Sequence, residues 1–285
     1  MSAQILDGQA LATEMKLDAK RRVDELKASG VDVGLGTVLV GDDGPSSNYV
    51  AMKHSDCAEV GIASFHRHLP ASASLAQILD VVDEFNETPE VSAFLVQLPL
   101  PRPEFEEVVL ERIRPTKDVD GLHPMNLGKL VMSRPGPLPC TPAGILKLLQ
   151  HNGVSVEGKR VVVVGRGLTV GRPLALLLSS TLPGCNAAVT VVHSRVKDLG
   201  SVIREGEVVV SATGVPGIIK KEYIRPGAVV VGAGTFFVGR KLISDVEESV
   251  AEVASMITPR IGGVGPMTRA MLIENTLLAA VQGRN

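Results

Sequence analysis

The chain of 285 residues has no tryptophan, two tyrosines (Tyr49 and Tyr223) and six phenylalanines, so aromatic residues make up only 3% of it. Base-stacking platforms, aromatic cages and interfacial aromatic belts all need more rings than this. An excess of either charge is also lacking: 29 Lys+Arg stand against 31 Asp+Glu, a net of −2. That argues against capture of nucleic acid, which depends on a basic surface that displaces counterions. No apolar run approaches the roughly 18 residues that span a bilayer. The segment Met1-Ser2-Ala3-Gln4-Ile5-Leu6-Asp7 has no basic stretch leading into an apolar core, so no secretory signal is expected. Cysteine is scarce too. Cys57, Cys140 and Cys185 are odd in number and far apart, which suits a reducing cytoplasm better than a disulfide framework or a zinc site. What remains is a 45% hydrophobic content carried by Val, Leu, Ile and Ala, the packing material of helix-covered parallel sheets.

The pattern reads as two α/β halves. Helical periodicity covers 10–28, and 35–40 is a short apolar strand ending in the turn Gly41-Asp42-Asp43-Gly44-Pro45. A helix is expected from Ser46, taken as its N-cap, to Val60, with Gly61 as its stop. Strands at 62–69 and 91–98 flank a helix at 74–87, so this β-α-β-α-β series predicts right-handed crossovers and a parallel sheet. A helix at 104–114 precedes a polar, proline-bounded loop, Pro115 to Pro124, where the domain junction is placed. After Thr141-Pro142 a helix to His151 leads into strands at 160–164, 188–193, 207–211 and 228–232, with a last helix over 266–281. The expected organisation is a catalytic domain of residues 1–120 plus a C-terminal helix at about 267–285, a Rossmann-like domain of residues 121–266, and a cleft between them.

Arg160-Val161-Val162-Val163-Val164-Gly165-Arg166-Gly167-Leu168-Thr169-Val170-Gly171 is a buried strand running into a glycine-rich turn that opens a helix. Such turns let backbone amides and a helix N-terminus face a pyrophosphate. An NAD site ends the next strand in a carboxylate; here it ends in His193-Ser194-Arg195, and Arg195 with Arg166 suits a 2′-phosphate instead. NADP is therefore favoured over NAD. In the first half, Tyr49 and Lys53 are four apart and share a helix face, and Gln97 closes a buried strand, where ligands of open α/β sheets gather. Asp118 and Asp120 lie on the junction loop without His or Cys partners at metal-ligand spacing, so no metal is expected. His123 follows in the same loop and reads as structural. Ile261-Gly262-Gly263-Val264-Gly265-Pro266 is a second glycine turn opening a helix.

Taken together, six segments in order resemble the bifunctional methylenetetrahydrofolate dehydrogenase/methenyltetrahydrofolate cyclohydrolase family: Ser46-x-x-Tyr49-Val50-x-x-Lys53, Val96 to Pro101, Lys117 to Pro124, Cys140-Thr141-Pro142, Gly165 to Pro173, and Gly262 to Thr268. The resemblance implies NADP-dependent oxidation of 5,10-methylenetetrahydrofolate, hydrolysis of the methenyl product to 10-formyltetrahydrofolate, and a homodimer. It maps the family's catalytic lysine, tyrosine, glutamine and aspartate to Lys53, Tyr49, Gln97 and Asp120. Its cofactor positions map to Gly165, Arg166, Gly167, Gly171, Ser194, Arg195 and Thr235, and its substrate positions to Tyr49, Leu98, Asp120, Gly263 and Pro266. This chain departs from the family pattern at Gly167 (serine), Val196 (threonine), Gly232-Ala233-Gly234 (Asp-Val-Gly), Ile261 (proline) and Arg269 (a β-branched residue). The Gly232 departure leaves that loop without a carboxylate. Two rival readings are an enzyme resembling shikimate dehydrogenase and a nucleotide-sensing protein without turnover; the Gln97 and Gly262–Gly265 segments oppose the first, and the Tyr49/Lys53/Gln97/Asp120 set opposes the second.

Overall fold

The structure is a computed structural model and describes residues 3–238 and 241–283. The chain forms two compact units: Thr13–Gly128 with Gly136–Cys140 and Arg269–Asn285, and Met1–Ala12 with Lys129–Pro135 and Thr141–Thr268.

The first unit is built on a three-stranded parallel sheet in the order Ala63–Leu69, Gly34–Val40, Ala93–Val96. Because strand side chains alternate between faces, the buried central strand serves two cores. Leu35 packs with Val23, Cys57, Leu272 and Leu277 on one side, and Val38 with Ile78, Val82 and Phe85 on the other. Gly36 has no side chain for a physical reason: a Cβ there would lie 2.7 Å from the Phe94 Cβ and 2.9 Å from the Phe85 ring. Those rings pack edge to face at 5.5 Å, which uses two of the few aromatic residues in one core.

The Gly44–Val60 helix starts earlier than expected. Its N-cap is Asp43, not Ser46: the Asp43 carboxylate accepts from the Ser46 N–H at 2.9 Å, and Pro45 occupies the first turn. A carboxylate three residues upstream satisfies an orphan N–H that a hydroxyl inside the helix cannot, and proline needs no donor there. Gly61 ends the helix in the left-handed conformation, φ 80°, as its position implied. Ser74 and Gln77 close a capping box on the Leu75–Glu87 helix. Two further elements differ from expectation. The 104–114 helix is a 3₁₀ turn, Pro103–Phe105, followed by Glu106–Arg112, and the proline ending the junction loop starts a helix, Pro124–Val131.

The second unit holds a six-stranded parallel sheet in the order Gln4–Ile5, Met256–Ile257, Val229–Gly232, Val208–Ser211, Arg160–Val164, Ala188–Val192. Its outer two strands on one side have two residues each, too short for any alternation to show in sequence. Pairing of Gln4–Ile5 with Met256–Ile257 draws residues 3–12 into this unit, whereas the sequence grouped them with residues 13–120. An antiparallel hairpin, Thr235–Val238 with Lys241–Ser244, was also not foreseen.

Candidate active site

In the first unit, the helix starting at Asp43 carries Tyr49 and Lys53. Tyr49 is 37% exposed, whereas Lys53 is buried at 6%. Lys53 Nζ donates to Gln97 Oε1 at 3.0 Å, and Gln97 Nε2 donates to the Leu98 carbonyl at 2.7 Å. The orientation of this carboxamide is settled by chemistry. An ammonium has only donors and a carbonyl only acceptors, so Oε1 must face Lys53 and Nε2 the backbone. Gln97 sits where the Ala93–Val96 strand ends, and the following Leu98–Pro99 peptide is cis.

The Pro115–Pro124 loop, which bridges to Phe94 through Asp118, separates its two carboxylates into different roles. Asp118, buried, accepts from the N–H groups of Gly121 (3.1 Å), Leu122 (3.3 Å) and His123 (2.8 Å) and from Asn126 Nδ2 (2.9 Å). It builds the loop. His123 accepts from the Met125 N–H on Nδ1 (3.0 Å), which leaves Nε2–H to donate to the Glu111 carbonyl (3.2 Å). Asn275 donates to the Val119 and Leu138 carbonyls at 2.8 and 2.9 Å, holding the loop from the C-terminal helix. Asp120, half-buried, receives no hydrogen bond on its carboxylate from any described residue. Burial pushes its pKa up, while the charge of Lys53 pulls it down. Two acceptor oxygens beside a buried lysine are thus open to a ligand.

In the second unit the glycine turn has the features its sequence implied. Gly165 has φ 114°, and a Cβ on Gly171 would lie 2.3 Å from the Gly165 carbonyl oxygen, so both positions need glycine. The Gly171–Ser179 helix has Val170 at its N-cap and no side-chain cap; in its first turn the Arg172 N–H donates to the Gly167 carbonyl at 3.1 Å and Pro173 has none, which leaves the Gly171 N–H to face an anion. Arg166 and Gly167 are exposed on this turn. The next strand pairs Val192 with Val164, so exposed Ser194 and Arg195 follow at the neighbouring strand end. Thr235, also exposed, begins the hairpin. Gly263, buried, and Pro266 lie at the start of the Val264–Gln282 helix; a Cβ on Gly263 would meet the Pro259 carbonyl oxygen at 2.6 Å.

The sequence reading missed Asp245. It is fully buried and lies within Ser244-Asp245-Val246-Glu247-Glu248, where nothing local distinguishes it from surface acids. Among the described residues, no group of three or more His, Cys, Asp or Glu side chains is arranged to hold a metal ion, and no helix is long and apolar enough to cross a membrane.

A Rossmann-like sheet with an uncapped glycine-rich helix start, on one chain with a smaller parallel sheet that buries a lysine against a carboxamide, defines a dinucleotide-dependent enzyme of the two-unit α/β class. Comparison with known proteins narrows the class. Residues 6–120 match the catalytic domain of tetrahydrofolate dehydrogenase/cyclohydrolase and residues 139–284 its NAD(P)-binding domain, and the chain belongs to this family. It is 55% identical over 281 residues to the bifunctional protein FolD of Syntrophotalea carbinolica, covering 98% of this chain and 97% of the relative. The FolD methylenetetrahydrofolate dehydrogenase/cyclohydrolase of Campylobacter jejuni superposes with a TM-score of 0.94 at 38% identity, over 100% of both chains. The Trypanosoma brucei enzyme, solved with NADP and an inhibitor, gives 0.95 at 36% identity over 100% of this chain and 99% of that one. Shikimate dehydrogenase of Thermus thermophilus shares the fold alone, with a TM-score of 0.52 and 14% identity over 87% of this chain and 99% of that one. The chain is thus a bifunctional one-carbon folate enzyme, both dehydrogenase and cyclohydrolase.

Proposed function

We propose that Lys53, Gln97, Tyr49 and Asp120 form the centre where 5,10-methylenetetrahydrofolate is oxidised to 5,10-methenyltetrahydrofolate and the product is hydrolysed to 10-formyltetrahydrofolate. The observation that carries this reading is the buried Lys53 amine held by a carboxamide whose orientation chemistry dictates. Loss of hydride from a carbon between two nitrogens leaves a delocalised cation, a step that calls for orientation more than for a protein base. NADP, when bound, supplies the hydride acceptor. The Gly165 turn, the uncapped Gly171–Ser179 helix start and the arginines Arg166 and Arg195 fit its phosphates, so these residues, with Gly167, Gly171, Ser194 and Thr235, are assigned to it. Gly263 and Pro266 are assigned to the substrate.

Hydrolysis asks more of the protein. Water attacks the cationic carbon, and a proton must leave the adduct and return to the departing nitrogen as the ring opens. Lys53 handles that proton, with Gln97 Oε1 fixing its amine. Tyr49, partly exposed four residues earlier on the helix, offers a flat face for the pterin, and the free Asp120 oxygens accept its amino and ring N–H groups. Leu98 lines the same strand end.

Family resemblance supports a homodimer, and three unpaired buried cysteines suit the cytoplasm. Lys53→Met is expected to abolish cyclohydrolase activity. A purified variant that hydrolyses methenyltetrahydrofolate at the parent rate overturns the assignment.

A further inference from the structure

The second unit contains a buried carboxylate that the roles above do not use. Asp245 follows the hairpin and reaches the C-terminal ends of two central strands. Its Oδ2 accepts from the Thr213 N–H at 3.4 Å, just beyond the Val208–Ser211 strand, and its own N–H donates to the Gly234 carbonyl at 3.1 Å, just beyond the Val229–Gly232 strand. The approach is close. A Cβ on Gly234 would lie 2.4 Å from Asp245 Oδ2 and 2.7 Å from the Gly214 nitrogen, and one on Gly232 would lie 3.4 Å from Oδ1. The loop that has glycine at 232 in place of a carboxylate therefore receives one from its neighbour. Beneath it, Ser211 Oγ is a buried polar atom that forms no hydrogen bond of ordinary geometry.

The position of this knot in the sheet gives it meaning. The Gly165 turn follows the Arg160–Val164 strand, and Ser194 and Arg195 follow the strand on one side of it; Thr213 and Gly234 follow the two strands on the other side. A dinucleotide lies across such a reversal of strand order with its two halves on opposite sides. With the phosphate-bearing adenosine half at Arg195, the other half falls on the loops that Asp245 joins.

We propose that Asp245 is a positioning residue for the nicotinamide half of the cofactor, tying the Thr213–Gly214 and Gly232–Thr235 loops at the spacing that half requires. The inference rests on the NADP reading above. Burial raises the carboxyl to about 6, against the favourable influence of Ser211 and of the Thr213 and Gly234 N–H groups. Its charge, and with it the grip on the loops, is lost on mild acidification.

The test is calorimetric titration of NADP into the parent, Asp245→Asn, Asp245→Ala and Gly234→Ala chains at about pH 7.5 and about pH 5. Cofactor-free hydrolysis of methenyltetrahydrofolate is the internal reference for a folded protein. At the higher pH, Asp245→Ala and Gly234→Ala are expected to weaken NADP binding by about tenfold or more while hydrolysis persists. The parent is expected to lose affinity on acidification by more than Asp245→Asn, whose remaining dependence is the protonation of the cofactor's own 2′-phosphate. The KM for NADP in the dehydrogenase assay is expected to follow the same pattern. Unchanged affinity in all three variants, or a parent-like pH dependence in Asp245→Asn, overturns the inference. A parent chain that hydrolyses methenyltetrahydrofolate but binds no NADP overturns instead the reading on which it rests.

Discussion

At the scale of single residues, Asp245 shows a functional group working against stability. Its folded pKa of about 6 lies above the 3.8 of a free aspartate. The native state therefore binds the proton more tightly than the unfolded chain, so stability falls as pH rises through the window between these values. Above it, the buried charge costs about 3 kcal/mol. Asp245→Asn keeps an acceptor for Thr213 and removes the charge. It is expected to be more stable than the parent at neutral pH by up to about 3 kcal/mol, with the gap closing near pH 4. Urea titrations across that range decide this; a gap independent of pH would sink the argument. Lys53, Gln97 and Asp120 were singled out through the family resemblance, each beside a local marker: a helix four residues after Tyr49, a strand end, a junction loop. Asp245 was not, because its significance lies in Thr213, Gly214 and Gly234, which reach it only through the fold.

At the scale of elements, the helix that presents Tyr49 and Lys53 depends on its first turn. Asp43 satisfies the Ser46 N–H, and Ser46 is itself buried. Asp43→Ala is expected to lower the unfolding free energy by about 1 kcal/mol and Asp43→Asn by only a few tenths, measured by urea denaturation. Equal losses would show that the charge, not the cap, matters. Farther along, Asp56 on the same helix accepts from Lys16 at 3.1 Å and from Arg269 at 2.5 Å, so one buried carboxylate joins three helices. Arg269, a departure from the family pattern, thus has a local partner. Signals confined to neighbouring residues, such as Gly61 and the Ser74–Gln77 box, translated directly into structure. The Ser46 reading failed because Asp43 and Ser46 both fit the cap, and only backbone geometry separates them.

At the scale of the whole molecule, the scarcity of aromatic residues becomes a tool. The chain has two tyrosines, and each unit holds one, Tyr49 in the first and Tyr223 in the second. With no tryptophan to mask them, a Tyr223→Phe chain emits from Tyr49 alone. Methenyltetrahydrofolate is expected to quench that emission and to leave a Tyr49→Phe chain unchanged after absorbance correction; equal quenching in both would remove Tyr49 from the folate site. The sequence by itself determined the main strands and helices, the parallel character of both sheets and the glycine-rich turn, because these rest on local periodicity and glycine conformation, while the lysine–glutamine pair followed from the family resemblance. Only the tertiary structure decided that Gln4–Ile5 join the second sheet, that Asp118 builds its loop while Asp120 stays open, and that Asp245 gathers two strand ends. Each of these depends on contacts between residues far apart in the chain, such as Gln4 with Met256, whose pairing leaves no periodic trace in two-residue strands.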